Sequence, residues 1–179
     1  MILDEFKKIF QLDLLELALR FWTAFFIFIY GIAKWKQFEG AKLLEIAIKD
    51  ATEFQIMWAF FGTTKIYPLV VGSIQVTGAF LLLFRKTKLL GAVLLTPVFI
   101  NIILLDILYK INEGALLNAI VFQSVLIFIF IQQRKKVVHV FQTLLLNEES
   151  DLTSKTKWIR FAIAALIAMG MFFGYQVIT

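Results

Sequence analysis

The chain has no cysteine and a single histidine, His139, among its 179 residues. Without thiols it cannot form a disulfide, ligate an iron–sulfur cluster or carry out dithiol redox chemistry by itself. One histidine cannot supply both axial ligands of a bis-histidyl haem, nor a histidine-rich metal site. Phosphate-binding motifs of the GxxxxGKS/T and GxGxxG types are absent, and the serines lack a histidine partner. The sequence therefore predicts no metal, no covalently bound cofactor and no catalytic residues of its own.

Charged residues are also scarce, at 17% of the chain, whereas apolar residues make up 60% and phenylalanine alone occurs 20 times. The mean hydropathy is +0.84. This composition leaves too little polar surface to coat a water-soluble globule, and lipid is the expected solvent. The net charge of +5 is not arranged as a basic patch interleaved with aromatic residues, so no nucleic-acid partner is predicted.

Five apolar stretches are each long enough to cross the ~30 Å hydrocarbon layer of a bilayer. Runs such as FFIFI at residues 25–29 and IFIFI at residues 127–131 are apolar on every side, which favours helices over the alternating strands of a barrel. We predict an all-α integral membrane protein. The predicted spans are Leu19 to Trp35, Ile66 to Phe84, Leu89 to Tyr109, Ala115 to Gln132 and Trp158 to Val177.

The remaining segments are predicted to lie at the membrane surface, within one domain that covers residues 1–179. Residues 1–19 have the spacing of an amphipathic interfacial helix and lack the pattern of a cleaved leader. Residues 39–61 are predicted as either a re-entrant hairpin that covers a cavity or a helix lying flat on the surface. Residues 134–157 form a connector to the fifth span, residues 158–179.

The lysines and arginines determine the predicted orientation, because their excess marks the cytoplasmic face. Six fall on the side of the long link after the first span: Lys34, Lys36, Lys42, Lys49, Lys65 and Lys110. Twelve fall on the side of the N-terminus: Lys7, Lys8, Arg20, Arg85, Lys86, Lys88, Arg134, Lys135, Lys136, Lys155, Lys157 and Arg160. We expect a cytoplasmic N-terminus and an extracytoplasmic C-terminus in a bacterial or archaeal plasma membrane.

Polar side chains inside the spans are costly in lipid and mark candidate sites. Most of them fall in the extracytoplasmic half, and Lys34 and Asp106 lie at nearly the same depth, which predicts an ion pair between spans one and three. The predicted ligand-binding residues of this outer pocket are Tyr30, Lys34, Gln75, Asn101, Asp106, Asn118 and Gln123.

A structural interpretation of the same residues stays open. The amides can cross-link helices through hydrogen bonds worth about 0.6 kcal/mol each. Asp106 can serve only to join spans one and three, and Lys34 can extend to the interface beside Trp35. In the fifth span Gly170 and Gly174 have the four-residue spacing of closely packed helices, which makes a homodimer through them a weaker hypothesis.

The order of residues from Arg20 to Gln133 resembles the DoxX-like membrane family. That family has a first span running from Arg to a Gly-containing Lys end, then G-x-x-E-x-x-G, leucines, a basic turn and a Gly-led third span. The matching residues here are Arg20, Gly31, Lys34, Gly72, Gly78, Arg85 and Gly91. Gln75 stands where the family often has Glu, which argues against a proton-transfer role at that position.

The resemblance implies a four-helix inner-membrane core, related to proteins linked with quinone-dependent sulfur oxidation or oxidative-stress complexes. Our leading hypothesis is a non-catalytic accessory subunit that binds a quinone or a lipid-like amphiphile in the outer pocket. One alternative is the membrane subunit of a thiosulfate:quinone-type oxidoreductase, whose redox centre a partner protein would carry. Another is a small-molecule transporter gated by Lys34 and Asp106, although no inverted repeat is evident.

Overall fold

The structure is a computed structural model that describes residues 12–41, 45–145 and 154–178, with side-chain surroundings from residue 14 and up to residue 171. All regular elements in these ranges are helical, which confirms the all-α prediction. A short 3-10 turn covers Ile48–Asp50. The helices are α1 (Leu12–Ala33), α2 (Glu53–Gly62), α3 (Ile66–Leu83), α4 (Lys88–Leu108), α5 (Glu113–Gln132), α6 (Arg134–Leu145) and α7 (Ser154–Ile178).

Four helices, α1, α3, α4 and α5, are long and apolar enough to cross a membrane. Large apolar side chains cover their outer faces: Phe25 is 60% exposed and Leu117 63%. Exposed apolar surface of this extent is unfavourable in water and matches a lipid environment. The protein is therefore a membrane protein, as its composition predicts.

The helix bounds agree with the predicted spans to within a few residues, except at α1. This helix begins at Leu12, whereas hydropathy places the start of the span at Leu19. Glu16 and Arg20 interrupt the apolar run, but both are buried and paired with each other, so the helix continues through them. Residues 1–11 of the predicted surface helix lie outside the described part of the chain.

The four long helices form a ring in which α1 packs on α3, α3 on α4, and α4 on α5, while α1 meets α5 along a smaller face. Helices α1 and α4 therefore lie diagonally across the bundle. Its apolar core includes Ile27, Leu82, Leu95, Phe122 and Ile129, with at most 2% of each side chain exposed. We call the end containing Lys34 and Asp106 the Lys34 end, and the end containing Glu16 and Lys88 the Lys88 end.

Glycines bring two of the helix pairs into close contact. A Cβ added at Gly72 of α3 would lie 2.5 Å from the carbonyl oxygen of Gly31 in α1, and one at Gly91 of α4 would lie 2.9 Å from that of Gly78 in α3. Backbones approach this closely in membrane bundles only where residues are small. These four glycines thus set the spacing of α3 against both of its neighbours.

The link between α1 and α3 is held together by aromatic contacts. The ring of Phe38 lies 4.6 Å from that of Trp58 and 5.1 Å from that of Phe61, centroid to centroid. Helix α2 begins with a capping box in which Thr52 and Gln55 each bond the other's backbone N–H. Whether this link is re-entrant or lies on the membrane surface stays a prediction.

The chain divides into two compact units, residues 1–137 and 138–179. The described part of the second unit contains the end of α6 and all of α7. Helix α7 has 25 residues, and its first turns carry Lys155, Lys157 and Arg160. The fifth span and the single-domain organisation stay predictions, and the side-chain surroundings of Gly174 lie outside the described residues.

Candidate ligand-binding cavity

A cavity of about 280 Å³ lies at the Lys34 end of the first unit, bordered by α1, α3, α4, α5 and the link between α1 and α3. Six of the seven predicted site residues line it, from four different helices or their ends. These are Tyr30, Lys34, Gln75, Asn101, Asp106 and Asn118. The seventh, Gln123, lies further along α5, outside the cavity wall, with its Oε1 buried and without a hydrogen-bond partner.

Lys34 follows directly after the last residue of α1 and reaches over the cavity. Its Nζ donates a hydrogen bond to Gln37 Oε1 at 2.5 Å and lies 5.4 Å from the ring centroid of Phe38. Lys34 is half-buried, so its ammonium has lost part of its water and an anionic group would stabilise it.

Asp106 and Gln75 are the most buried polar residues of the cavity wall, with 7% and 1% of their surface exposed. Asp106 Oδ2 and Gln75 Oε1 have no hydrogen-bond partner. The predicted contact between Asp106 and Lys34 is not formed, since the two side chains border a common cavity and Lys34 bonds Gln37 instead. A buried carboxylate without a partner is unfavourable, so Asp106 offers a strong acceptor to a ligand.

Tyr30 and Asn118 close the side of the cavity where α1 meets α5. Asn118 Nδ2 donates a hydrogen bond to the Tyr30 hydroxyl at 3.0 Å. Behind them Phe122 packs edge-on against Tyr30 and Phe99, at centroid distances of 6.0 and 5.6 Å. This bond spans the least extensive of the contacts between neighbouring helices in the ring, and both residues that make it are exposed.

Aromatic and apolar side chains complete the wall. Phe38, Trp58 and Phe61 come from the link between α1 and α3, and Tyr67 comes from the start of α3. Met57 of α2 also lines the cavity and is 4% exposed. The segment predicted to cover a cavity thus supplies part of its wall. An apolar chamber with a few polar groups is the usual form of a small-molecule site.

A buried charge cluster at the Lys88 end was missed by the sequence-based reasoning. Glu16 Oε1 lies 3.0 Å from Arg20 Nε, and Glu16 Oε2 lies 2.7 Å from Lys88 Nζ. Arg20 also donates a hydrogen bond to the carbonyl oxygen of Leu82. The sequence placed Glu16 on a surface helix and Lys88 in a basic link. The i,i+4 spacing of Glu16 and Arg20 was the available signal.

Within the ranges that the structure describes, no group of three or more His, Cys, Asp or Glu side chains is placed to hold a metal ion. The chemistry available to the cavity from its own side chains is therefore hydrogen bonding, one cation, one carboxylate and apolar contact. These features suit recognition of a ligand head group.

Comparison with known proteins finds a relative of moderate sequence identity. A curated protein of Bacillus subtilis (strain 168), described as the uncharacterized protein YwoB, is 36% identical to this chain over 118 residues. The match covers 65% of this chain and 75% of the relative. No protein-family model matches the chain, and no solved structure matches it. The resemblance to the DoxX-like family accordingly stays a prediction.

Proposed function

This chain belongs to the same family as YwoB of Bacillus subtilis, and we propose that it is a non-catalytic membrane protein that binds a small amphiphile in the cavity at the Lys34 end. The amphiphile is a quinone or a lipid. Its head group lies among the polar residues of the cavity and its tail lies in the bilayer. In this proposal the four-helix bundle is a DoxX-like core and α7 is a fifth span.

The convergence of six polar side chains on one cavity carries the proposal. Polar groups inside a bundle can be retained to cross-link helices, but cross-linking alone would leave them bonded to each other. Here Tyr30 and Asn118 are bonded to each other, whereas Gln75 and Asp106 are buried with free acceptor atoms. Free acceptors beside a cavity are expected where a ligand supplies the missing donors, as the ammonium or hydroxyl groups of a lipid head do, whereas a quinone oxygen would accept from the side-chain amide of Gln75.

The volume of the cavity limits what can enter it. An apolar cavity of about 150 Å³ admits benzene, so about 280 Å³ accommodates a substituted ring or a compact head group. Pockets for whole drug-sized ligands begin at about 300 Å³. A long hydrocarbon tail must therefore lie outside the cavity.

Replacing Gln75 with leucine tests this function. Gln75→Leu removes a polar group of the cavity wall, and Gln123→Leu makes the same change at a position outside it. We expect Gln75→Leu to lower the amount of quinone or phospholipid retained through detergent purification several-fold, since a hydrogen bond contributes about 1 kcal/mol. Gln123→Leu is expected to retain the wild-type amount. Extraction and mass spectrometry measure both.

Equal retention in the wild type and Gln75→Leu would remove Gln75 from the site. Absence of any retained amphiphile in the wild type, together with no binding of added short-chain quinone or phospholipid, would contradict the proposed function as a whole.

A further inference from the structure

Helices α1 and α4 carry complementary charges in the same register. Glu16 and Lys34 are 18 residues apart on and just after α1, and Lys88 and Asp106 are 18 residues apart on α4. At 3.6 residues per turn this interval is five full turns, about 27 Å, so each pair lies on one side of its helix. Both helices run in the same direction along the bundle. The acid of one therefore lies level with the base of the other at each end.

At the Lys88 end the acid of α1 and the base of α4 form an ion pair across the bundle. Glu16 and Lys88 are in direct contact at 2.7 Å, and their side chains are 6% and 7% exposed. The contact joins two helices that otherwise have little contact across the ring. A buried charge is normally retained only when it is paired in this way.

At the Lys34 end the base of α1, Lys34, and the acid of α4, Asp106, do not touch. Both side chains border the cavity. Lys34 bonds the neutral side chain of Gln37, and Asp106 Oδ2 has no partner. Among the described side chains, neither charged group is in direct contact with a group of opposite charge. A ligand that carries both charges would satisfy both residues at once.

We propose that the head group bound in this cavity is a zwitterionic phospholipid head, in which the phosphate pairs with Lys34 and an ammonium pairs with Asp106. This inference rests on the proposed function, since it names the class of amphiphile that the cavity binds. Phosphatidylethanolamine carries such a head. The ligand takes the place of the missing ion pair between α1 and α4.

Other amphiphiles satisfy only half of this arrangement. A quinone has acceptor oxygens that suit Lys34, but it has no donor for Asp106. An anionic phospholipid also suits Lys34, and a hydroxyl of its head can donate to Asp106, but it brings no positive charge to offset the repulsion between its phosphate and the Asp106 carboxylate in a setting of low dielectric. The head group of phosphatidylethanolamine is only slightly larger than benzene, so about 280 Å³ accommodates it. The rings of Trp58, Phe61 and Tyr67 add an attraction for a cation.

Native mass spectrometry of the purified full-length protein, titrated with short-chain phosphatidylethanolamine or phosphatidylglycerol, tests the inference. The two lipids share the phosphate, and only the first carries the ammonium. We expect the wild type to bind phosphatidylethanolamine roughly tenfold more tightly, as a hydrogen-bonded charge contributes on the order of 1.4 kcal/mol or more.

The two charged residues should act on different parts of the lipid. Asp106→Asn is expected to abolish the preference by weakening phosphatidylethanolamine binding roughly tenfold while phosphatidylglycerol binding stays or improves. Asp106→Glu keeps the charge and should keep the preference. Lys34→Gln is expected to weaken both lipids by a similar factor, because both lose the partner of the phosphate.

The exposed ion pair Glu53–Lys110 provides the matched control. It lies at the same end of the bundle, has an N–O distance of 3.1 Å, and does not line the cavity. Glu53→Gln and Lys110→Gln change the charge as Asp106→Asn and Lys34→Gln do, and both should bind the two lipids as the wild type does. Circular dichroism and size-exclusion chromatography verify that each variant is folded.

Two results overturn the inference. One is a wild type that binds phosphatidylglycerol as tightly as phosphatidylethanolamine, and the other is a folded Asp106→Asn protein that keeps the preference. If a short-chain quinone then binds and Gln75→Leu weakens that binding, the proposed function stands without the zwitterionic head. If none of the three amphiphiles binds to the wild type, both proposals fail.

Discussion

Glu16 bonds two cations at once in an almost dry setting, and this makes it the residue whose loss should matter most for stability. Its carboxylate contacts Arg20 at 3.0 Å and Lys88 at 2.7 Å. Removing one member of a buried ion pair leaves the other charge without compensation, which costs about 3–5 kcal/mol. The same removal at an exposed pair is nearly neutral, because water solvates the remaining charge.

Glu16→Gln should therefore lower the free energy of unfolding by about 3 kcal/mol or more. The measurement is thermal or denaturant unfolding of the purified protein in detergent, followed by circular dichroism. Glu53→Gln is the matched control, since Glu53 pairs with Lys110 on the exposed surface and should leave the unfolding midpoint little changed. Similar shifts in the two variants would show that the pairing of Glu16 is not what stabilises this end.

At the scale of the helices, glycines determine how closely α3 approaches its neighbours. The backbones of α1 and α3 pass each other at Gly31 and Gly72, and a Cβ at Gly72 would also lie 2.9 Å from the Cβ of Lys34. The close contact thus has a consequence for the cavity, because the position of Lys34 depends on it. Nothing lies within 4 Å of a Cβ built at Gly170 of α7.

Gly72→Ala should destabilise the bundle by about 1–3 kcal/mol, since the backbone of α1 must shift to admit the methyl group. Gly170→Ala is the control, and its unfolding midpoint should stay or rise slightly, because alanine favours a helix by up to about 1 kcal/mol over glycine. Unfolding in detergent compares the two. A Gly72→Ala protein as stable as Gly170→Ala would mean that the α1–α3 contact can relax without cost.

At the scale of the whole chain, the four long helices of the first unit present apolar side chains outward, and the charges in the links between them predict the orientation in the membrane. The prediction is that the loop at Lys86 is cytoplasmic and the start of α5 at Glu113 is extracytoplasmic. The absence of cysteine makes single introduced cysteines clean reporters, because no native thiol competes for the label.

A membrane-impermeant maleimide should label Glu113→Cys in intact bacterial cells and Lys86→Cys only after permeabilisation. A cysteine added after Thr179 should be labelled in intact cells if α7 is a fifth span. Labelling of Lys86→Cys in intact cells would reverse the orientation. Labelling of the added cysteine only after permeabilisation would show that α7 does not cross.

Several features of the fold could be predicted because they depend on neighbours along the chain. The bounds of α3, α4 and α5 follow from runs of apolar residues, and the polar residues within those runs can be counted directly. The position of a residue along its helix also depends only on the local sequence, and Lys34, Gln75 and Asp106, which are predicted to lie at one end of the bundle, line one cavity there. The rotation of each helix about its axis cannot be obtained in this way, and Gln123, which the sequence groups with them, lies outside the cavity wall.

The sequence by itself determined that the protein is helical and suited to a membrane, because this follows from its composition and apolar runs. It also determined where along its helix each polar residue lies, because this follows from the rise of a helix per residue. Only the tertiary structure decided which charges touch. Glu16 and Lys88 are 72 positions apart and form a buried pair, whereas Lys34 and Asp106 border the same cavity without contact. The physical reason is that pairing depends on how the helices are rotated and spaced in the bundle, and this is set by long-range packing at Gly31, Gly72, Gly78 and Gly91.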